Sequence, residues 1–141
     1  MSIQKNSKIT VSTTATTDII DITDKVHHHL TAAGFTEGIV HLFIPGSTAA
    51  LTTIEYESGV VDDLKQAIER IAPAHIPYAH DRKWGDGNGH AHVRAALLGP
   101  SLTIPVANGS LQLGTWQQVV LCDFDTRPRQ RDILVHLVPT A

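Results

Sequence analysis

Residue types that can do chemistry are concentrated in one polar stretch near the middle of the chain, YAHDRKWGDGNGHAHVRAALL at residues 78–98. Glycine and asparagine interrupt its first half, and an apolar helical period begins only after His90. A polar segment of this length inside a compact chain is typical of a functional loop. The stretch therefore predicts one wall of a site.

The sharpest metal-binding pattern in this stretch is His90-x-His92, with His80 on the other side of the glycine-rich segment. In extended backbone, residues two apart project to the same side, so both imidazoles can reach one cation. If both belong to a helix, they point roughly 200° apart and cannot share the ion. Three histidines with an open position are typical of a zinc-like catalytic site, so we expect a divalent metal at His80, His90 and His92. Histidines that only form hydrogen bonds are the alternative.

A second set of candidate residues could bind an anion. Arg127, Arg129 and Arg131 alternate, so on an extended segment all three would face one way and bind phosphate or carboxylate. A solvated charged turn produces the same spacing. Ser47 and Thr48 follow a glycine in a turn and can donate to an oxyanion, although hydroxyls are common in turns.

Glu55 ends an otherwise uncharged run. From the pattern alone, it is equally well interpreted as a surface group at the end of a strand or as a functional acid. With Asp81 and Asp86, it is a candidate for a general base on a bound water or for a partner of a metal ligand.

The strands and helices that must position these residues are predicted from the hydrophobic periodicity of the sequence and from its turn-forming residues. Strands are predicted at residues 7–15, 38–44, 49–56, 101–106 and 111–124, with a last strand closing the chain. Helices are predicted from Thr23, as N-cap, to Gly34, from Ser58, as N-cap, to Pro73, and from about His90 to Leu98, with a loop before the last of them. The segment 38–56 reads as a hairpin, and Asn108-Gly109 is the strongest hairpin signal.

This pattern predicts an α+β fold in one domain spanning residues 1–141, with an antiparallel or mixed sheet of about six strands and about three helices on one face. The three adjacent histidines at 27–29 lie on the first predicted helix, where their side chains diverge, so we interpret them as helix surface.

Composition excludes several functions. The 141 residues carry a net charge of −3 and no strongly basic segment, which argues against nucleic acid as a partner. No apolar window approaches the ~20 residues that span a bilayer, so no membrane partner is expected. The single cysteine, Cys122, lies in an apolar run and is interpreted as a buried structural thiol, which fits a reducing cytoplasm.

Nearly the whole chain resembles the YjbQ-type proteins, whose members are often labelled secondary thiamine-phosphate synthase. The resemblance is carried by YAHD at 78–81, NGHAH at 88–92 with AALLG at 95–99, SLTIPV at 101–106 and LGTWQ at 113–117. It implies a small α+β subunit that forms a homotrimer with pockets near the subunit boundaries. It also implies a weak ability to make thiamine phosphate.

The resemblance assigns roles to some residues and not to others. His80 and His92 match the family's histidines, Glu55 matches its acid, and Arg129 or Arg131 matches its late arginine; His90 is matched only in part of the family. The chain departs from the pattern at Gly46-Ser47-Thr48, where many members have His-Thr-Ser, and at residue 54, where isoleucine replaces asparagine.

Two functional hypotheses follow. In the first, the chain is a metal-assisted enzyme with weak thiamine-phosphate synthase-like activity. Its catalytic residues are Glu55, His80 and His92. Arg129 and Arg131, with the hydroxyls of Ser47 and Thr48, bind a small phosphorylated metabolite. In the second, the chain is a non-catalytic trimeric protein that binds a metabolite or a metal.

Overall fold

The computed structural model describes residues 7–140, so the two ends of the predicted domain 1–141 lie outside the described part. The described residues form eight strands and four helices, and the strands pair antiparallel throughout. The predicted α+β class is confirmed. In chain order the elements are β1 (Ser7–Ser12), β2 (Asp18–Asp21), α1 (Thr23–Ala33), β3 (Gly38–Phe43), β4 (Ala49–Glu55), α2 (Ser58–Ile71), α3 (Ala79–Trp84), α4 (Gly89–Leu98), β5 (Ser101–Ala107), β6 (Ser110–Leu111), β7 (Gln117–Asp123) and β8 (Gln130–Pro139).

The strands form two sheets that face each other across the main core. The larger sheet has the order β1-β8-β3-β5-β6, and the smaller has the order β2-β7-β4. Leu42 and Val135 from the larger sheet meet Leu51 and Leu121 from the smaller one, and α1 adds Leu30 to the same cluster. This buried apolar surface is the main stabilising contribution, since burial stabilises by roughly 25 cal/mol per Å².

A second core lies on the opposite face of the smaller sheet, under α2 and α4. Ala50 and Cys122 of the sheet pack in this cluster with Ile68 of α2 and Ala91 of α4. Burial raises the pKa of the Cys122 thiol to about 12, so the thiol stays protonated. The prediction of a buried structural cysteine is therefore confirmed, and the same packing holds α4 against β4.

The predicted hairpin over residues 38–56 is wrong, because its two strands belong to different sheets. Strand β3 pairs with β5 and β8, whereas β4 pairs with β7. Each strand buries one face in the main core, and sheets that pack face to face bury both of these faces. The turn at residues 45–48 therefore crosses from one sheet to the other.

The predicted Asn108-Gly109 hairpin is confirmed. Both residues have left-handed φ angles, 53° and 73°, as a two-residue hairpin turn requires. The return strand predicted over residues 111–124 is divided, however, since β6 ends at Leu111 and β7 begins at Gln117 in the other sheet.

Helices α1 and α2 lie where they are predicted but begin differently. Gly34 ends α1 with a left-handed φ of 62°, as predicted. Thr23 is the first helical residue and not the cap. Glu57, not Ser58, caps α2, because its carboxylate accepts two N–H groups of the first turn. Within the described part of the chain, no helix has the length and apolar character that crossing a bilayer requires.

Candidate functional site

His80 lies on a short helix, although the sequence predicts a loop up to Gly89. Helix α3 begins after Tyr78, which is extended, and ends at Gly85, whose φ of 74° is left-handed. With 6 residues it is too short to show an apolar period, which is why the pattern did not reveal it. The loop prediction is wrong for this segment, and His80 has a defined backbone position.

Helix α4 brings His92 against His80. The two ring centroids are 4.6 Å apart with an edge-to-face angle of 73°. The Nδ1 atom of His92 lies 3.0 Å from the carbonyl oxygen of Ser47. A carbonyl only accepts, so Nδ1 carries the proton, and Nε2 of the neutral ring keeps its lone pair. His92 can therefore act as a base or as a ligand through Nε2.

His90 points to the other side of α4. It is only 4% exposed, and its ring lies 6.4 Å from that of Tyr78. Both ring nitrogens are buried and lack a hydrogen-bond partner within residues 7–140. Burial, and then the Arg94 charge, hold the pKa of His90 below its usual value, so its neutral form is favoured. Among the described residues, His80, His90 and His92 do not form a group whose ligand atoms all lie within 4.8 Å of one another, so the expected three-histidine metal set is not assembled in one chain.

The turn at residues 45–48 separates the histidine pair from Arg131. The Arg131 side chain donates from Nη2 to the Thr48 hydroxyl at 2.7 Å and lies beneath the glycine of this turn. A methyl carbon added at Gly46 would lie 3.5 Å from Arg131 Nη1. The Ser47 carbonyl thus contacts His92, and the Thr48 hydroxyl contacts Arg131. The turn therefore touches both the histidine pair and the arginine.

Two buried carboxylates hold the late arginines. Asp123 accepts from Arg131 Nε at 2.7 Å and from Nη2 at 3.0 Å, which is a bidentate pair. Asp125 accepts from Arg129 Nε at 2.7 Å. Within residues 7–140, Nη1 of Arg131 and both terminal nitrogens of Arg129 form no hydrogen bond, so donors remain available on both arginines.

The pKa of Asp125 lies below its usual value although the group is almost fully buried. Burial alone would raise this pKa, but hydrogen bonds from the Thr126 N–H, Arg129 and the Thr48 hydroxyl outweigh it. Asp125 is therefore ionised, and its charge fixes the orientation of Arg129.

Glu55 is not among the residues that come together. It is exposed at the end of β4, on the same face of the strand as Leu51. Ala50 and Ile54 lie on the opposite face, which packs toward α2 and α4. Glu55 does not contact the histidine pair of its own chain, and its catalytic role stays a prediction.

A cavity of about 440 Å³ opens beside the histidine pair. It is lined by Tyr78, Ala79, His80, Gly89, His92 and Val93. A cavity of this size holds a small molecule, with apolar walls and imidazoles at one side. The arrangement provides acid–base groups, oriented guanidinium donors and space for a ligand.

Comparison with known proteins places the chain in a protein family. Residues 7–140 match the family described as UPF0047 protein YjbQ-like. The chain belongs to the YjbQ-like family. It is 38% identical over 128 residues to a UPF0047 protein of Archaeoglobus fulgidus, covering 91% of this chain and 97% of that protein. It is 33% identical over 129 residues to the UPF0047 protein YugU of Bacillus subtilis, covering 91% and 95%.

The fold of this YjbQ-like chain is also similar to that of solved structures. A YbjQ-like protein of unknown function from Sulfolobus solfataricus superposes with a TM-score of 0.91 at 32% identity, covering 97% of this chain and 98% of that one. A conserved protein of the same family from Clostridium acetobutylicum superposes with a TM-score of 0.85 at 32% identity, covering 94% and 99%.

Sequence reasoning missed the carboxylates behind the arginines of this YjbQ-like chain. Asp123 and Asp125 alternate at the end of an apolar strand with the same period as Arg129 and Arg131. This shared period of two was the available signal, because alternate residues of extended segments face one way.

Arg94 was also missed, and nothing in its spacing distinguishes it from a surface arginine. It is 2% exposed in α4 and donates from Nε to the Ala72 carbonyl at 2.9 Å and from Nη1 to the Thr17 hydroxyl at 2.9 Å. It also pairs with Glu69 through Nη2. Arg94 therefore ties α4 to the end of α2 and helps to set where His92 lies.

Proposed function

We propose that this YjbQ-like chain is a cytoplasmic enzyme that acts on a phosphorylated small molecule, with thiamine-phosphate synthase-like transfer as the reaction class. One observation carries the proposal. The turn at residues 45–48 is bound on one side by His92, through the Ser47 carbonyl, and on the other by Arg131, through the Thr48 hydroxyl. Acid–base groups and phosphate-binding groups thus border the same turn.

Each group has a distinct task in such a reaction. The free N–H groups of Arg129 and Arg131 stabilise negative charge on a phosphate or pyrophosphate, and their fixed orientation removes the cost of reorganising them. In this proposal, His92 Nε2 and His80 serve as general acid and base. The cavity beside the rings holds the rest of the substrate.

In thiamine-phosphate formation, the thiazole nitrogen attacks the carbon that bears pyrophosphate on the pyrimidine. The C–N bond forms, the C–O bond breaks, and the electron pair of that bond leaves on pyrophosphate. The two arginines stabilise this developing charge. No proton transfer is required at the reacting carbon, so the histidines serve the leaving group and the bound phosphate.

The test is formation of thiamine phosphate from the pyrimidine pyrophosphate and the thiazole phosphate, measured by oxidation to a fluorescent product. We expect Arg131→Lys to lower the rate by about 100-fold, because a lysine cannot keep the paired bonds to Asp123 and also donate to a bound anion as Arg131 Nη1 can. Arg70→Lys, on the exposed side of α2, is the matched control and should leave the rate unchanged. Absence of product, together with failure to complement a thiamine-phosphate-synthase-deficient strain, would overturn the enzymatic assignment.

A non-catalytic binding protein is the second candidate, and two observations favour it. Both arginines are already paired with carboxylates. Glycine also stands at position 46, where many of the resembling proteins have histidine. In this case, calorimetry would show pyrophosphate binding that Arg131→Lys weakens, with no turnover of any phosphorylated substrate.

We further propose that the chain assembles as a homotrimer. Within residues 7–140, no helix covers the outer face of the larger sheet. This face presents Ile39, Phe43 and Leu134, which are half-buried, and Val138, which is 46% exposed. Apolar side chains on one exposed sheet face are typical of a protein contact. A second copy of the same chain is the partner that the family resemblance implies.

A further inference from the structure

The strongest cluster of metal-ligating side chains in residues 7–140 is not the one that the sequence predicts. One ligand atom each of His80, Asp81 and Asp86 lies within 4.8 Å of the others, and no other group of three or more such residues does so in the described part of the chain. We propose that these three residues bind one divalent transition-metal cation. The proposal rests on the proposed function only for what the cation would do there.

Two left-handed glycines shape the segment that carries the three ligands. Gly85 has a φ of 74° and Gly87 a φ of 68°, which other residues adopt only with strain. They turn the chain back at the end of α3, so that Asp86 returns toward His80. The His80 Nε2 and Asp86 Oδ1 atoms are 3.2 Å apart as a result.

The state of His80 points to a ligand. Its Nε2 atom is shut off from solvent and forms no hydrogen bond within residues 7–140, although Asp86 Oδ1 lies only 3.2 Å away. A shielded imidazole nitrogen without a partner is unfavourable. A cation beside the nitrogen lone pair and the carboxylate oxygen would satisfy both atoms.

The second carboxylate is oriented by α4. Asp81 accepts the Gly89 N–H through Oδ1 at 2.9 Å, which leaves Oδ2 for a cation. Outer hydrogen bonds of this kind hold metal ligands in place. One imidazole and two carboxylates form a mixed nitrogen and oxygen set that suits Zn²⁺ or Mn²⁺ and not a soft ion such as Cu⁺.

Three protein ligands leave coordination positions open, as in catalytic sites. His80 also lines the cavity of about 440 Å³, so the proposed cation would lie close to that cavity. An anionic group of a substrate in the cavity could complete the coordination.

Isothermal titration of the EDTA-treated full chain with ZnCl₂ tests the proposal. We expect one Zn²⁺ per chain, with affinity at least about tenfold lower in Asp81→Asn and in Asp86→Asn and lost in His80→Ala. Asparagine at position 81 keeps the acceptor for the Gly89 N–H, so only the charge is removed. Asp63→Asn, an exposed carboxylate on α2, is the matched control and should bind as the parent does.

Thermal unfolding of each variant without metal checks that the fold is retained. Absence of Zn²⁺ binding by the parent overturns the proposal, and so does unchanged binding by both aspartate variants. Loss of binding in His92→Ala with retention in Asp86→Asn would assign the ion to the histidine pair instead. Pyrophosphate binding measured in EDTA reports on the arginines alone, so failure of the metal site and failure of the proposed function are separable.

Discussion

At the scale of the residue, Arg129 and Arg131 are neither solvated turn residues nor free anion-binding groups, the two possibilities that their spacing allows. Each is paired with a buried carboxylate. Arg131 is 11% exposed and forms a bidentate pair with Asp123, which is fully buried. Such a pair adds little net stability by itself, but breaking it leaves a buried charge unpaired. The carboxylates therefore act chiefly to orient the guanidinium groups. Because each carboxylate also neutralises part of the positive charge, the arginines attract an anion less strongly.

Asp125 predicts how stability depends on pH. Its pKa is lower in the folded chain than in the unfolded one, so the unfolded chain takes up a proton first as pH falls. Its contribution to stability is present above the unfolded pKa of roughly 4 and is lost as pH falls through the lower folded value. Urea unfolding between pH 7 and pH 3 should show this loss.

Asp125→Asn should lower the free energy of unfolding by about 1–3 kcal/mol at pH 7, since its bonds to Arg129 and Thr48 weaken. Below pH 4 the variant should lose less further stability than the parent. Asp63→Asn, which is exposed, should follow the parent at every pH. Parallel curves for the parent and Asp125→Asn would contradict the assignment.

At the scale of the element, α4 connects the fold to the site. One face packs with Ala91 and Ala95 in the smaller core, and another presents His92 to the turn at residues 45–48. Its first residue, Gly89, lies against Tyr78 at the start of α3. The contact between the two histidines therefore depends on how closely these helices approach.

Gly89→Ala should destabilise the chain, although alanine normally favours a helix over glycine. The added carbon would lie 2.6 Å from Tyr78 Cβ, which is attached to the backbone and cannot turn away. We expect a loss of about 1–3 kcal/mol in urea unfolding, as for an overpacked core.

Gly114→Ala is the matched control, because its added carbon would meet only ordinary contacts, the nearest at 3.7 Å. Its free energy of unfolding should stay within about 0.5 kcal/mol of the parent. Equal stability of the two variants would show that α3 and α4 separate without cost.

At the scale of the whole molecule, the two sheets are used differently. The smaller sheet is covered on both faces, by the main core and by the core under α2 and α4. In the described part of the chain, the larger sheet has one covered face. Its other face carries the stacked rings of His41 and His136, whose centroids are 5.8 Å apart, among apolar side chains. This difference locates the proposed contact between subunits on the larger sheet.

Val138→Asp should shift the chain from trimer to monomer in sedimentation equilibrium, because a charge on the contact face would have to be buried. Ile76→Asp is the matched control, since Ile76 is 47% exposed against 46% for Val138 but lies outside the sheets. A parent chain that sediments as a monomer would contradict the homotrimer, and an unchanged trimer in Val138→Asp would contradict the assigned face.

Features that depend on a few neighbouring residues could be predicted from the amino-acid sequence. Hydrophobic period and turn residues located α1, α2, α4 and the Asn108-Gly109 hairpin, because caps, left-handed glycines and apolar faces act over a few residues. The α+β class followed from the same pattern, and the apolar run around Cys122 was sufficient to predict a buried thiol.

Which of these elements face one another could be seen only in the folded chain. The alternation in β3 and β4 is the same for a hairpin as for two strands in facing sheets, so the pairing depended on contacts that no local pattern contains. The same limit applies to the site. Whether His90 and His92 share an ion depends on where α4 begins, and whether Arg131 is free depends on Asp123 arriving from a neighbouring segment.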